Sequence, residues 1–379
     1  MNVKIIGAGS VGNHLAQASR RMGWDVTVTD ADPKALVRMR EEIYPKRYGA
    51  WDENIALFQS GEEPRGGYDI IMIGTPPDVR IPLAIEALKE KPRILHLEKP
   101  LCGIEKAFHH VSSFEEALID YKEEITLEYL SSPEYISCQD SSQVRDIPDD
   151  LFVTVGYNHA VSESIQKVVE LLKQNLFGEI LAIDVEFREH WSGIFSAHPW
   201  LSGPKDSYLG HWRRGGGAGG EHSHALHLFL YLAHVVGRGD VKENVRTLFS
   251  FRKDGEAEYD ETAHFLLETE HGLVGRVTQD VITFPPEKRL KILGEKGYIS
   301  WICGASGKGD IVYYSSNDFM DSQTFFFRKT RSDDFYQEML HYNDLLSGKI
   351  TYENSPLNMR FGAETMGILY EAHGGRRLF

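Results

Sequence analysis

The first hundred residues repeat one pattern of apolar and polar positions. VKIIGAG at 3–9 is a short apolar run ending in glycines, and helical spacing follows from Val11 to Met22. WDVTVTD at 24–30 is rich in β-branched residues and ends in acid. DPKALVRMREEI at 32–43 then offers Asp32 as an N-cap and Pro33 as the first helical residue. YDIIMIGTPP, VRIPLAIEALKE and PRILHLEKP extend the series as strand, helix and strand. Strands that alternate with helices predict a parallel sheet covered on both faces.

A helix is expected over 108–122. The polar stretch from Lys122 to Asp150 reads as a loop or insertion. LFVTVGYNH reads as another strand, and ESIQKVVELLKQNLFG as a helix closed by Gly178. After Gly178 the period changes to two. In ILAIDVEFREH, Ile183, Val185 and Phe187 share one side, and Asp184, Glu186 and Arg188 the other. Similar runs follow in RTLFSF, ETAHFLLETE, GLVGRVTQDV, KRLKILGEKGYISW, DIVYYSS and QTFFFRK. They predict an open, mainly antiparallel sheet with one wet face. A helix in DDFYQEMLHYNDLLSG and a segment from Pro356 to His373 are expected to return beside the first domain. The expected organisation is an α/β dinucleotide-binding domain at 1–125, an insertion or connection at 121–150, and an α+β substrate and oligomerisation domain at 151–379.

Composition narrows the function. With 41% hydrophobic and 26% charged residues, the chain is globular rather than disordered. Its formal charge of -15 argues against nucleic-acid binding, which needs a basic footprint. Cys102, Cys138 and Cys303 are odd in number and far apart, so neither a disulfide framework nor a zinc module is expected. MNVKIIGAGS lacks the charged leader and long apolar core of a signal peptide, and no apolar run is long enough to span a bilayer. A cytoplasmic protein with no membrane partner is the expectation.

Gly7-x-Gly9-x-x-Gly12 lies between a strand and a helix, where it permits a tight turn, backbone approach to a pyrophosphate and close packing of helix on strand. Asp30 ends the second strand at about the spacing of the ribose-binding acid. An acid there accepts from the ribose hydroxyls and repels a 2′-phosphate, which favours NAD over NADP. Thr75 and Pro76, and then Glu98, Lys99 and Pro100, follow two strands at their carboxyl ends, where ligands of open α/β sheets bind. The stretch GGGAGGEHSHALHL at 215–228 carries three histidines and a glutamate. If a helix begins near Glu221, then Glu221, His224 and His227 share a face. His222 and His224 are two apart and point in different directions on a helix, so no metal is expected.

GAGSVG, TPP, EKP, the VGYN of 155–158, the WRRGGG of 212–217 and the SHALH helix together resemble the Gfo/Idh/MocA family, over nearly the whole chain. The resemblance implies a Rossmann domain, an open-faced C-terminal domain, and NAD(P)-dependent oxidation or reduction of a sugar, cyclitol or related alcohol. It maps the family's essential lysine, often followed by a cis bond to proline, to Lys99, and its active-site histidine to His224. His224 would be the general base, Lys99 would hold the same oxygen, and Glu221 would orient a histidine. Cofactor contacts are expected from Gly7, Gly9, Ser10, Val11, Gly12, Asp30, Thr75, Pro76, Glu98, Lys99 and Asn158. Substrate contacts are expected from Lys99, Tyr157, Trp212, Arg213, His224 and His227.

The chain departs from the family in three ways. Arg80 stands where a histidine is common, Ala160 where an arginine is common, and EKP and GYN lie farther apart. Two other functions keep the cofactor: a glycosidase or epimerase that retains NAD without net redox, and a non-catalytic dinucleotide sensor. The family implies a homodimer or homotetramer through the C-terminal sheet.

Overall fold

The computed structural model describes residues 1–130, 151–196, 198, 200–243, 245–316 and 320–375. The chain folds around two sheets. The first contains β1 (Asn2–Ile6), β2 (Asp25–Asp30), β3 (Ile55–Gln59), β4 (Ile70–Ile73), β5 (Ile94–Leu97) and β6 (Phe152–Val155). These strands are all parallel in the order β3-β2-β1-β4-β5-β6, which places the switch point between β1 and β4. β4 and β5 are buried at every position, as strands covered by helices on both faces must be. Asp32 caps the next helix by accepting from Lys34 N–H at 3.0 Å, with Pro33 in the first turn. β3 was not legible as a strand, because only Ile55 of its five residues is buried.

Three expected boundaries move. The helix expected over 108–122 runs from Ala107 to Leu130, and the rest of the 121–150 segment, including Cys138, lies outside the described residues. Phe152–Val155 is the sixth strand of the parallel sheet, so the first domain extends past 151. The helix from Glu163 ends at Lys173, and Asn175, with φ 56°, turns the chain before Gly178 does.

The second sheet contains β7 (Ile180–Arg188), β8 (Arg246–Asp254), β9 (Ala257–Glu268), β10 (Val274–Asp280), β11 (Glu287–Gly294), β12 (Gly297–Ile302), β13 (Gly309–Ser316) and β14 (Asp321–Arg328). Their order is β14-β13-β12-β11-β7-β10-β9-β8, antiparallel except for the β7–β10 pair. KRLKILGEKGYISW is therefore a hairpin, β11 and β12, rather than one run. Ile183, Val185 and Phe187 are fully buried beneath the helix His224–Val235. The opposite face carries cross-strand pairs such as Arg276–Asp184 and Arg289–Glu186, beside exposed Leu248 and Leu266.

The last two helices complete the first domain. Arg331–Leu346 packs on the helix Ser10–Arg21, with Phe335 stacked on His14 at 4.7 Å. Just before Met359–Ala372, Leu357 accepts from Val155 N–H at 2.9 Å. Among the described residues no helix is long and apolar enough to cross a membrane.

Candidate active site

The first turn after β1 has the shape a dinucleotide requires. Gly7 has φ +112°, and a Cβ on Gly12 would sit 1.9 Å from the Gly7 carbonyl oxygen, so only glycine lets the helix start this close to the strand. Around Gly9 the space is open. Asp30 serves the turn itself: one carboxylate oxygen accepts from Ala8 N–H at 2.8 Å and the other from Asp32 N–H at 2.9 Å. Lone pairs remain on both oxygens for ribose hydroxyls. Ser10 is held by Arg47, whose guanidinium donates to the Ser10 carbonyl at 2.8 Å and to its Oγ at 2.7 Å. Val11 is half-buried in the same turn. These residues fit the adenosine and pyrophosphate half of NAD.

The Thr75–Pro76 and Glu98–Lys99–Pro100 turns follow β4 and β5, side by side. Arg80 joins them. It is buried, and its guanidinium donates to the carbonyls of Thr75, Glu98 and Pro100. Burial lowers its pKa, and the Glu98 carboxylate works against that shift. The Lys99–Pro100 bond is cis. Glu98 accepts from Lys99 N–H at 3.1 Å, so its carboxylate shapes the turn rather than facing outward.

From the second domain, Glu221 arrives opposite Lys99. Lys99 Nζ donates to Glu221 Oε2 at 3.0 Å and to the Glu221 carbonyl at 2.8 Å. Burial raises the Glu221 carboxyl, but the Lys99 charge and its hydrogen bond outweigh it and bring the group down to about 2. Glu221 therefore holds the lysine, not a histidine as expected. The shared helix face is also broken: one helix ends at Glu221, the next begins at His224, and His222 and Ser223 turn between them.

His224 stands at the start of that second helix, half-buried, with its ring edge-on to Tyr157 at 5.4 Å and to His159 at 4.8 Å. Burial, then the nearby His159 and Lys99, keep its pKa well below the ordinary value, so it is neutral at physiological pH. Its Nδ1 is buried without a partner among the described residues. Behind it, His159 Nδ1 lies 3.3 Å from Asp334 Oδ2, and Lys329 donates to both Asp334 oxygens at 2.9 Å. His159 and Asp334 were missed in the sequence. They sit on distant segments, and only the folded chain places them behind His224.

Four expected substrate residues make contacts within the protein itself. Tyr157 is fully buried and stacks on His227 at 4.0 Å. His227 is buried too, and its Nε2 bonds the Pro356 carbonyl at 2.7 Å. Burial lowers His227 to about 3 and His222 to about 4. Trp212 stacks on His373 at 4.5 Å. Arg213 lies over Trp212 and pairs with Glu258 and Glu105. Asn158 is buried at the turn after β6.

The glycine run at 215–220 repeats the spacing of the first turn. Gly215 has φ +95°, and a Cβ on Gly220 would lie 2.0 Å from the Gly215 oxygen. Here the protein supplies the anion: Gly219 N–H donates to the buried Asp260 carboxylate at 2.5 Å. The second glycine turn is thus structural.

Among the described residues one trio, His96, Glu98 and Glu338, brings its ligand atoms within 4.8 Å of one another. His96 Nδ1 meets the Tyr342 hydroxyl at 2.6 Å in the same pocket. Burial, reinforced by the Glu98 charge, raises Glu338 well above the carboxylate range, so it holds a proton.

A parallel dinucleotide-binding sheet joined to an open mixed sheet, with Lys99, Glu221 and His224 where they meet, defines a two-domain dinucleotide-dependent class of fold. Residues 165–300 match the family model of the GFO/IDH/MocA C-terminal domain. The chain therefore carries that domain behind a Rossmann domain, the Gfo/Idh/MocA-type arrangement. Similar solved structures include an NAD-binding oxidoreductase from Klebsiella pneumoniae, at 15% identity and TM-score 0.69 over 99% of this chain and 96% of that one. The WlbA dehydrogenase from Bordetella pertussis, solved with NADH and UDP-GlcNAcA, is 19% identical with TM-score 0.61 over 98% and 95%. A levoglucosan dehydrogenase, solved with NADH and levoglucosan, is 14% identical with TM-score 0.68 over 99% and 97%. No curated protein matches the sequence.

Proposed function

We propose that the chain is an NAD-dependent dehydrogenase that acts on a secondary alcohol of a sugar, cyclitol or sugar derivative. The observation that carries this reading is the Lys99–Glu221 ion pair beside the Gly7–Gly12 turn, with His224 near enough for the Lys99 charge to act on it. The structural neighbours with NADH and sugar ligands support the same class.

Bound NAD supplies the acceptor for a hydride. The chain supplies the rest. Gly7, Gly9, Gly12 and Asp30 bind and orient the dinucleotide. Lys99 presents a charge, fixed by Glu221, to the substrate oxygen and stabilises negative charge there. His224, neutral at physiological pH, is in the protonation state of a base and takes the hydroxyl proton. His159, backed by Asp334, borders His224 and holds its ring.

The test is NADH formation by the purified protein across inositols, aldoses, sugar acids and nucleotide sugars. Activity that disappears in Lys99→Met, with NAD affinity kept, is the expected outcome. Turnover retained by Lys99→Met would overturn the reading. Tightly held NAD without net NADH production would point instead to cleavage or epimerisation. A homodimer or homotetramer through the open sheet belongs to the same proposal, supported by the exposed Leu248, Leu266 and Val274.

A further inference from the structure

Beside the dinucleotide turn, a cleft of about 640 Å³ opens between the first domain and the start of the helix Arg331–Leu346. Its walls include Lys46 and Arg47, Arg331 from the start of the returning helix, and Trp200 from the second domain. Glu42 is its one acidic lining residue. Arg38 adds a further cation, lying over the Trp200 ring at 5.3 Å. So many cations are unexpected in a chain of net charge -15.

Two of these cations stand without an acidic partner: among the described residues neither Lys46 nor Arg331 pairs with a carboxylate. Arg47 is committed to Ser10, the first residue of the dinucleotide helix, which fixes its charge at the mouth of that turn. Burial lowers the Arg47 pKa, and Arg331 lowers it further, so the two guanidinium groups repel across the cleft. The same field reaches inward: burial, then Arg47 and Arg331, bring His14 down to about 3. His198 is lowered by burial and by both arginines, while Glu221 acts on it in the opposite sense. The cationic cleft is thus within electrostatic reach of the Lys99–Glu221 pair.

We propose that this cleft is a phosphate subsite, holding a phosphomonoester or diphosphate of a ligand bound in the interdomain site. A single carboxylate would leave most of the charge unbalanced. Phosphoryl oxygens carry two or more charges and match guanidinium forks. The volume suits a ligand of that size, and the Trp200 ring gives an apolar wall for a base or sugar ring. The pyrophosphate of the dinucleotide belongs at the Gly7–Gly12 turn, so the phosphate held here is one on the substrate side. The proposal rests on the dehydrogenase reading only in extending the ligand toward Lys99.

The test uses the full chain and the double variant Lys46→Gln/Arg331→Gln. Both positions are exposed, and an unchanged melting temperature confirms the fold. Titration calorimetry with UDP, inorganic pyrophosphate and NADH separates substrate-side from cofactor binding. The wild type is expected to bind UDP and pyrophosphate, more weakly at higher salt, and the variant to lose about tenfold in affinity. NADH affinity unchanged in the variant, with UDP still bound when NADH is present, assigns the subsite to the substrate. NADH affinity that falls alongside, with UDP and NADH mutually exclusive, would overturn it, because the cations would then serve only the cofactor. Affinities for all three probes that the variant leaves unchanged, or no UDP or pyrophosphate binding with unchanged NADH affinity, would overturn the subsite. NADH binding and Lys99-dependent turnover of a neutral sugar would survive that failure, so the two readings fall separately.

Discussion

Acid should unfold this protein through its buried and half-buried histidines, well before its carboxylates titrate. Burial holds His14 and His227 at about 3, and His222 and His341 at about 4. Three are buried and His341 is half-buried, each with its ring against other side chains or bonded to a fixed partner, as His227 is to Pro356 and His341 to Ser355. In the unfolded chain the same groups titrate near ~6.5. Their folded values are depressed, so the unfolded state binds more protons over the interval between. Stability is then fully present above about pH 6.5 and declines as pH falls toward 3–4. At about pH 5 each group costs roughly 2 kcal/mol. Four such groups together approach the ~5–15 kcal/mol that a folded domain has in total. Urea denaturation at a series of pH values measures this directly. Near pH 5.5 the slope of unfolding free energy against pH should correspond to roughly three to four protons taken up on unfolding. His227→Gln should remove close to one of them. A slope of less than one proton would refute the reasoning, because these imidazoles would then be charging inside the fold.

Other outcomes follow from single contacts. Gly12→Ala places a methyl 1.9 Å from the Gly7 oxygen, so the helix must shift by about an ångström and NADH affinity should fall by ~10²-fold in a fluorescence titration. Arg80→Leu leaves the carbonyls of Thr75, Glu98 and Pro100 without their donor and should cost about 3 kcal/mol in thermal denaturation. Leu248→Glu with Leu266→Glu should reduce the particle mass measured by light scattering if the open sheet face joins subunits, with NADH affinity unchanged.

Much of this was legible in the residues because it is local. The Gly7–Gly12 turn, the Asp32 cap and the alternation of Ile183, Val185 and Phe187 each lie within one element or the step between two. What was not legible depends on side chains from distant segments. Glu221 looked like a partner for a histidine three residues on, yet a turn at His222–Ser223 breaks the helix and Lys99 claims the carboxylate. The glycines before it repeat the spacing of the dinucleotide turn, but Asp260, 41 residues on from Gly219, fills their amide turn. The parallel β7–β10 pair was hidden for a similar reason, since a strand's period states which residues face inward and not which way its neighbour runs.

The return of the last two helices has a consequence for how the molecule is made. His96 on β5 and Thr154 on β6 both find their partner in Tyr342, and Val155 finds its own in Leu357. A ribosome that has reached residue 155 has made all six strands of the parallel sheet but none of these partners. The β5–β6 end of the sheet, with Lys99 just after β5, then waits, with polar groups unmatched, while the whole second domain is synthesised. Chains halted before residue 331 would fold the second sheet and leave the first unfinished, a natural substrate for chaperones and proteases.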